Sequence, residues 1–382
     1  MPIDGGIFAL DIPKISAIIR HTSPGVALPG LLVIAPDSTW ERRKPHFSEQ
    51  GDSFMRLLRA FGVLSLAVFW ASSLGAQSPL GGSFPGACPL PTLPNVNQLA
   101  LLRWYGANTV NTIPTGGAPN GIAFDGANIW LVNGPPNSVT KLRANDGSVL
   151  GTFPLGNVPG YAAFDGVNIW ITNLLDQTVS KLRASDGTNL GDFPTGKFPW
   201  VIAFDGTSIW VANILDNSVS KIRPSDGATL GVFPAGPIPI GLAFDGQSIW
   251  VANQGGANTV TKLRASDGAL LGTFAVGQNP VGVTFDGTSI WVTNSNSNTI
   301  NRLRPKDGKI TGTFAVGTSP QFIAFDGTNL WVTNEGSNNV TKLRACDGEI
   351  LGTFPTGDGP VGIVFDGVNV WTANNSGSVS KR

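Results

Sequence analysis

The apolar and polar positions of this chain repeat with a period of about 40 residues, almost to the C-terminus. Each unit carries the tripeptide Phe-Asp-Gly, and a Trp follows six residues after the Phe. The Phe residues are Phe124, Phe164, Phe204, Phe244, Phe285, Phe325 and Phe365. The Trp residues are Trp130, Trp170, Trp210, Trp250, Trp291, Trp331 and Trp371. Seven units at such regular spacing indicate a repeat architecture in which each unit is one supersecondary element.

The second unit shows the pattern within a repeat. Runs rich in Ile, Val, Thr and aromatic residues predict four strands, at Tyr161–Phe164, Asn168–Thr172, Thr178–Arg183 and Asn189–Phe193. Asp-Gly pairs separate the first strand from the second and the third from the fourth, and such pairs are hairpin signals. Four short strands in every 40 residues are typical of a propeller blade. A helical solenoid would need runs of helix formers, which these Gly-rich segments lack.

The two ends of the repeat region complement each other. The last unit stops at Arg382 inside its third strand, and Leu101–Gly116 matches the missing part of a unit. We therefore predict that Asn108–Ile113 supplies the outer strand of the last blade, which closes the ring and protects its edges. The predicted fold is an all-β, seven-bladed β-propeller over residues 99–382, with four-stranded blades of about 40 residues.

An export signal is predicted ahead of the repeats. Met55 opens the basic stretch MRLLR, Ala60–Trp70 is apolar, and small residues precede Ala76, in the order of a secretory signal peptide. The expected organisation is a non-native or disordered upstream extension (1–54), a signal peptide (55–76) and a Pro/Gly-rich lead-in (77–98). A genuine N-terminal extension with a buried helix at 55–75 is the alternative. We expect a secreted, periplasmic or cell-surface protein with no membrane span after cleavage, because the apolar run is short.

Charge and cysteine content add little. Lys and Arg together number 25, as do Asp and Glu, so bulk charge indicates neither nucleic acid nor an anionic membrane as a partner. We expect a monomer that binds no nucleic acid and carries no cofactor. The two cysteines, Cys88 and Cys346, would pair in an oxidising compartment or stay as two thiols, and the sequence leaves both possibilities open.

The sequence WVTN, at residues 291–294 and again at 331–334, resembles the YVTN-type β-propeller repeat, with Trp in place of the family's Tyr. The asparagine-rich loop that follows and the valine-lysine strand are also similar. The resemblance extends more loosely to NHL-type propellers and to streptogramin (virginiamycin B) lyases. It implies an exported or cell-surface propeller, and it implies no single activity because such folds serve many functions.

Three repeated features have a structural and a functional interpretation. The Asp of each Phe-Asp-Gly could belong to a ring of metal ligands, but we expect it to start a tight turn. The tryptophans could be stacking platforms, but we expect them to pack between blades. The basic pairs of the third strands, such as Lys141 and Arg143, could bind polyanions, but we expect local ion pairs with the adjacent Asp-Gly turns.

Loops that vary from blade to blade predict the binding surface. Both Asp-Gly turns of a blade lie on one face of the ring, so the other loops share the opposite, variable face. Large and polar side chains concentrate there in the second and third blades: Tyr161, Leu174, Leu175, Asp176, Lys197, Phe198, Trp200, Ile214, Leu215 and Asp216. We predict a binding patch for a protein, peptide, glycan or small molecule. The alternative is that these side chains fold inward and plug the central channel.

No catalytic set stands out. Both histidines, His21 and His46, precede the repeats, whereas the resemblance to streptogramin lyases implies a histidine and a glutamate in the propeller. We therefore predict a non-catalytic binding or scaffold module. The alternative is a lyase or hydrolase that uses a divalent metal held by carboxylate and Asn groups, for which the variable face offers Asp176, Asp216, Glu335 and Asp358.

Overall fold

The computed structural model describes residues 111–382, which form seven four-stranded antiparallel sheets arranged as a seven-bladed β-propeller. Strands are numbered in chain order. The inner strands are β2 (Pro119–Phe124), β6 (Pro159–Phe164), β10 (Pro199–Phe204), β14 (Pro239–Phe244), β18 (Pro280–Phe285), β22 (Pro320–Phe325) and β26 (Pro360–Phe365). The second strands are β3 (Asn128–Asn133), β7 (Asn168–Asn173), β11 (Ile209–Asn213), β15 (Ser248–Asn253), β19 (Ile290–Asn294), β23 (Asn329–Asn334) and β27 (Val370–Asn374).

The remaining two strands of each blade lie toward the rim. The third strands are β4 (Ser138–Arg143), β8 (Thr178–Arg183), β12 (Ser218–Ile222), β16 (Thr259–Arg264), β20 (Thr299–Leu303), β24 (Asn339–Arg344) and β28 (Ser378–Lys381). The outer strands are β5 (Val149–Pro154), β9 (Asn189–Pro194), β13 (Thr229–Pro234), β17 (Leu270–Ala275), β21 (Ile310–Ala315), β25 (Ile350–Pro355) and β1 (Asn111–Pro114). The four strands predicted for the second unit match β6 to β9, which confirms the blade pattern.

The first and last described strands close the ring. Strand β1 pairs antiparallel with β28, with Ile113 opposite Val379, and it is the outer strand of the seventh blade. This confirms the predicted closure. The part of the predicted closing strand that precedes residue 111 lies outside the described residues, as do the predicted segments 1–54, 55–76 and 77–98.

Each Phe-Asp-Gly turn is held by its aspartate. In the third blade, Asp205 Oδ1 accepts hydrogen bonds from the backbone N–H groups of Thr207 and Ser208, at 2.8 and 2.6 Å, and Gly206 adopts a positive φ of 91°. Asp205 Oδ2 accepts a third bond, of 2.7 Å, from the indole N–H of Trp210. Burial raises the pKa of Asp205, but the hydrogen bonds outweigh it and keep the pKa below its ordinary value. The turn interpretation of the repeated aspartates is confirmed.

The tryptophans pack between neighbouring blades, as predicted. Trp130 is fully buried, stacks on Phe153 of its own blade at 5.7 Å, and packs with apolar residues of the second blade. The Phe153 ring lies close against Gly187 of the second blade's turn, where φ is +78°. A side chain at Gly187 would overlap the ring, so this position needs glycine for space as well as conformation. The junction therefore joins a second strand, an outer strand and the next blade's turn.

The expectation for the basic pairs is correct for the arginines and wrong for the lysines. Arg143 forms an exposed ion pair with Asp146 at 3.1 Å, and the pattern recurs in five further blades. Lys141 instead lies over the Trp130 ring and donates a bond of 2.6 Å to the Ala184 carbonyl of the next blade. The pattern of charges in the sequence pairs charged residues with each other only. Backbone carbonyls carry no formal charge, so that pattern did not predict them as partners of the flexible lysine ammonium group.

Cys346 lies in the second turn of the sixth blade and is disulfide-bonded. The chain's other cysteine, Cys88, lies outside the described residues, so a Cys88–Cys346 disulfide, one of the two possibilities that the sequence leaves open, stays a prediction. The part of the chain that the structure describes contains no helix long and apolar enough to cross a membrane.

Candidate functional site

The inner strands start at the variable face and line the central channel. A cavity of about 170 Å³ lies on the axis, and every blade contributes one side chain to its wall at the fourth position of its inner strand. These residues are Ile122, Ala162, Ile202, Leu242, Val283, Ile323 and Ile363. These seven side chains form an apolar layer around the axis.

Two aromatic rings meet across the axis above this apolar layer. Tyr161 of the second blade and Phe322 of the sixth have ring centroids 4.9 Å apart, and both rings line the cavity. The two blades lie on opposite sides of the ring, so this contact can form only across the channel. We call Tyr161 and Phe322 the aromatic floor, because their rings contact each other and both line the axial cavity.

An apolar arc borders the floor on the side of blades three to five. It consists of Phe198, Trp200, Ile214, Ile240 and Val281. Phe198 and Trp200 are nearly parallel, with centroids 6.2 Å apart, and Trp200 contacts the ring of Tyr161 at 5.5 Å.

A polar clasp follows the arc in the ring, at blades six and seven. Glu335 begins a one-turn 3-10 helix, Glu335–Ser337, in the loop between β23 and β24. Its Oε2 atom accepts a hydrogen bond of 2.8 Å from Gln321 Nε2, and its Oε1 atom accepts one of 3.0 Å from Asn375 Nδ2. All three residues are half-buried. We call the floor, the arc and the clasp together the mouth of the channel.

Threonines of the second strands fix the backbone beneath two mouth residues. Thr172 Oγ1 donates to the carbonyl of Trp200 at 2.8 Å, and Thr293 Oγ1 donates to the carbonyl of Gln321 at 2.5 Å. Each threonine belongs to the blade before the residue that it holds. These hydroxyls set the height of Trp200 and Gln321 along the channel, because the position of a carbonyl fixes the adjacent backbone.

The ten residues of the predicted patch divide between interior and surface. Tyr161, Leu174 and Ile214 are 8%, 2% and 2% exposed, so the expectation that they stand exposed on the face is wrong for these three. They turn inward because the channel and the blade junctions offer apolar space there. Phe198 and Trp200 are half-buried at the mouth, whereas Leu175 and Leu215 are 44% and 57% exposed. Whether this sector binds a ligand stays a prediction.

The charged members of the predicted patch hold loops in place. Asp176 accepts bonds from the backbone and side-chain nitrogens of Asn157, both at 2.7 Å, and Asp216 accepts one of 2.7 Å from the backbone of Lys197. Asp176, Asp216 and the Lys197 side chain are exposed at the perimeter. Phe198 lies in the segment that connects β9 to β10, and its φ is +56°. Most residues at the equivalent position between two blades also have a positive φ, so this conformation is a property of the connection and not of Phe198.

The acids proposed as an alternative metal site occupy separate loops. Glu335 lies in the clasp, Asp176 and Asp216 close loops, and Asp358 is exposed on the link after β25. Within residues 111–382, no group of three or more His, Cys, Asp or Glu side chains is arranged to hold a metal ion.

Three mouth residues were missed by the sequence analysis: Gln321, Phe322 and Asn375. A comparison of equivalent positions could have found Gln321 and Asn375. The residue after each second-strand asparagine is Gly134, Leu174, Ile214, Gln254, Ser295, Glu335 or Asn375. The second position of each inner strand holds Asn120, Gly160, Trp200, Ile240, Val281, Gln321 or Val361. The first set changes from apolar to polar around the ring, and in the second set Gln321 is a polar residue between Val281 and Val361.

The fold and the mouth define a seven-bladed β-propeller with one uniform and one variable face. Solved structures with this fold include virginiamycin B lyase from Staphylococcus aureus, at 21% identity and a TM-score of 0.63, covering 72% of this chain and 98% of that one. Another streptogramin B lyase matches at 19% identity and a TM-score of 0.63, with coverages of 72% and 96%. Hydrazine synthase of Kuenenia stuttgartiensis matches at 18% identity and a TM-score of 0.63, with coverages of 73% and 98%.

These likenesses show the fold alone, a seven-bladed β-propeller that streptogramin B lyases also have. No family model and no curated protein matches the sequence. The resemblance to YVTN-type repeats therefore rests on the motifs of the repeat, which are WVTN, the asparagine-rich loop and the valine-lysine strand.

Proposed function

We propose that this protein is an exported, non-catalytic β-propeller that binds a partner or ligand at the mouth of its channel. The observation that carries the proposal is the asymmetry of the mouth, where an aromatic floor and an apolar arc face a polar clasp. Binding sites combine apolar surface with a few oriented polar groups in this way. The WVTN motifs support placing the chain among YVTN-type propellers, and the signal-like segment 55–76 supports export.

The proposal is tested by removing the exposed side of the arc. A fragment library of acids, bases and neutral rings is screened by saturation-transfer NMR against the wild type, Phe198→Ser and Trp200→Ser. We expect the hits to lose affinity by about tenfold or more in both variants, because aromatic anchors dominate small-ligand binding. Val232→Ser is the matched control, since Val232 is an equally apolar, exposed residue on the outer strand β13.

Folding is checked in parallel by the urea midpoint of each variant. Hits that bind Phe198→Ser as well as they bind the wild type, while Phe198→Ser stays folded, would show that the ligand site lies elsewhere. A library that yields no hit on the wild type would also count against the proposal.

A second candidate is the divalent-metal lyase or hydrolase, and one observation favours it. Glu335 is an oriented carboxylate at the mouth of a propeller whose fold resembles that of streptogramin B lyases. Metal analysis of the purified protein separates the two candidates. A bound divalent ion whose chelation lowers the unfolding temperature would favour the enzyme.

A further inference from the structure

A cleft of about 210 Å³ opens on the uniform face, where the fourth blade meets the fifth. The first turn and the third strand of blade four form one wall, and the second turn of blade five forms the other. The lining residues are Asp245, Gln247, Lys262, Pro305 and Lys306. We call this space the junction cleft. It lies on the face opposite the mouth, so it is a separate candidate site.

The repeats provide an internal comparison for two of these residues. The second residue after each first-turn aspartate is Ala127, Val167, Thr207, Gln247, Thr288, Thr328 or Val368. The residue before each second-turn aspartate is Asn145, Ser185, Ser225, Ser266, Lys306 or Cys346. Gln247 is the only amide in the first set, and Lys306 is the only charged residue in the second. These two exceptions come from different blades and line the same cleft.

The junction cleft has more positive than negative charge. Two ammonium groups, of Lys262 and Lys306, line it together with one carboxylate, of Asp245. Both oxygens of Asp245 accept hydrogen bonds from its own turn and from the indole of the same blade, at 2.6 to 2.9 Å. One ammonium charge is left without a carboxylate in the cleft, so the cleft attracts anions.

Lys262 has donor capacity left for a ligand. Its ammonium group donates to the Pro305 carbonyl at 2.8 Å, whereas Lys221 of blade three donates to two carbonyls, of Ala265 and Ser266. A lysine ammonium group carries three N–H donors. Lys262 can therefore donate to an anion in the cleft and keep its contact between the blades.

Lys306 and Gln247 supply donors on the two walls of the cleft. The aspartate in the turn of Lys306, Asp307, is held by two nitrogens of Arg304, at 2.9 and 2.6 Å. Within residues 111–382, Lys306 forms no ion pair, and its side chain is exposed. Gln247 is also exposed and adds a neutral N–H donor on the opposite wall.

We propose that the junction cleft binds a tetrahedral oxyanion, the phosphate or sulfate ester of a small molecule, between Lys262, Lys306 and Gln247. Hydrogen bonds from ammonium groups to such an anion are charge-assisted and about twice as strong as neutral ones. The inference goes beyond the proposed function, because both the ligand and the face of the ring differ from those at the mouth.

Three sugars that differ in one group test this chemistry: glucose 6-phosphate, glucose 6-sulfate and glucose, each titrated into the wild-type protein. Binding is followed by NMR through the side-chain amide of Gln247 and the backbone amides of the two turns. We expect the esters to bind and glucose to leave these signals unchanged. The phosphate should bind more tightly, because it carries about 1.5 to 2 negative charges at pH 7, and added salt should weaken both esters. Binding of one ester alone would identify the source of the oxyanion.

A matched pair of lysine variants locates the contact. Lys306→Ser introduces the residue that blades two, three and four have at this position, and it should weaken ester binding by about tenfold. Lys309→Ser removes the same charge from the same turn, but Lys309 does not line the cleft. It should change the affinities by less than about threefold, because salt screens a charge that makes no contact. The urea midpoint of each variant checks folding.

The junction of the second and third blades tests whether the two exceptional residues create the site. Lys181 donates there to the Pro224 carbonyl at 2.6 Å, as in the junction cleft, but exposed Val167 and Ser225 occupy the two positions. The double variant Val167→Gln/Ser225→Lys should therefore bind two equivalents of the phosphate ester, whereas the wild type binds one.

Contrary results would overturn the assignment of this site. They are signals that respond to neither ester, or to glucose as much as to the esters. A loss of affinity as large in Lys309→Ser as in Lys306→Ser would show a diffuse attraction to a basic turn. A folded double variant that still binds one equivalent would show that other residues hold the anion. None of these results bears on the mouth, for which the fragment screen with Phe198→Ser decides the proposed function.

Discussion

Asp205 shows how one side chain can stabilise three features of a blade. Its carboxylate accepts bonds from two turn N–H groups and from the indole of Trp210, which is itself fully buried. Turn geometry and the packing of the blade junction are therefore linked through one residue. The equivalent aspartates in the other blades make the same bond to their tryptophans.

Replacing this aspartate should cost more stability than its place in a turn would indicate. Asp205→Ala leaves the Trp210 indole N–H buried without an acceptor, so we expect a loss of about 2–3 kcal/mol in the free energy of unfolding. Urea unfolding followed by far-UV circular dichroism measures the change.

Asp226→Ala is the control, because Asp226 lies in the other turn of the same blade and is exposed. It should cause a smaller loss. Equal losses in the two variants would show that the indole bond contributes nothing beyond the turn.

The second and third strands are the elements that join one blade to the next. Second strands such as β7 are buried along their whole length, whereas outer strands such as β9 are largely exposed. This explains why the centres of the second strands are apolar, since both of their faces are covered by neighbouring blades. The third strands contribute the basic residue that bonds to the next blade: Lys141 to Ala184, Lys181 to Pro224, Lys221 to Ala265, Lys262 to Pro305, Arg302 to Cys346 and Lys381 to Ala144.

A lysine-to-methionine change isolates this contact between blades. Lys221 lies over Trp210 at 5.2 Å and donates to the carbonyls of Ala265 and Ser266, at 2.6 and 3.1 Å. Lys221→Met keeps the apolar stem and removes the ammonium group, so we expect about 1–2 kcal/mol of destabilisation in urea unfolding.

Lys221→Arg should retain most of the stability, because Arg302 makes the equivalent contacts in the fifth blade. If methionine proves as stable as the wild type, the lysines are surface groups without a role in joining the blades.

The propeller depends on contacts between its first and last described strands. Strands β1 and β28 form the last sheet together, and Lys381 donates to the carbonyls of Ala144 and Asn145 in the first blade. A ring closed in this way has no open blade edge between its ends. The closing strand β1 is the first described strand. The predicted signal peptide precedes it, and cleavage of that peptide would determine the first residue of the mature protein.

Mass spectrometry of the exported protein tests at which residue the mature chain begins. If segment 55–76 is a cleaved signal peptide, the mature chain begins near Gln77, and a non-reducing peptide map contains a Cys88–Cys346 peptide. The intact mass under reducing and non-reducing conditions gives both results. A mature chain that retains residues 55–76, or alkylation of both cysteines without reduction, would contradict the respective prediction.

The fold could be predicted from the sequence because its determinants are local and repeated. Each Asp-Gly pair sets a hairpin, and each pair of an aliphatic residue and Trp lies in a buried second strand. Seven copies, of which the last is incomplete, fix the number of blades and the closure. The mouth was only partly predictable. Loop positions indicate which face varies, but they do not tell whether Tyr161 points outward or across the axis.

Repetition in the sequence by itself determined the seven blades, the turn aspartates and the tryptophan packing, because each depends on residues within one unit or in adjacent units. Only the tertiary structure brought Tyr161 to Phe322, set Gln321 and Asn375 on Glu335, and directed the lysines to carbonyls rather than carboxylates. Most of these contacts join residues of different blades, at distances set by the radius of the ring. That radius depends on how all seven blades pack together, and no single repeat specifies it.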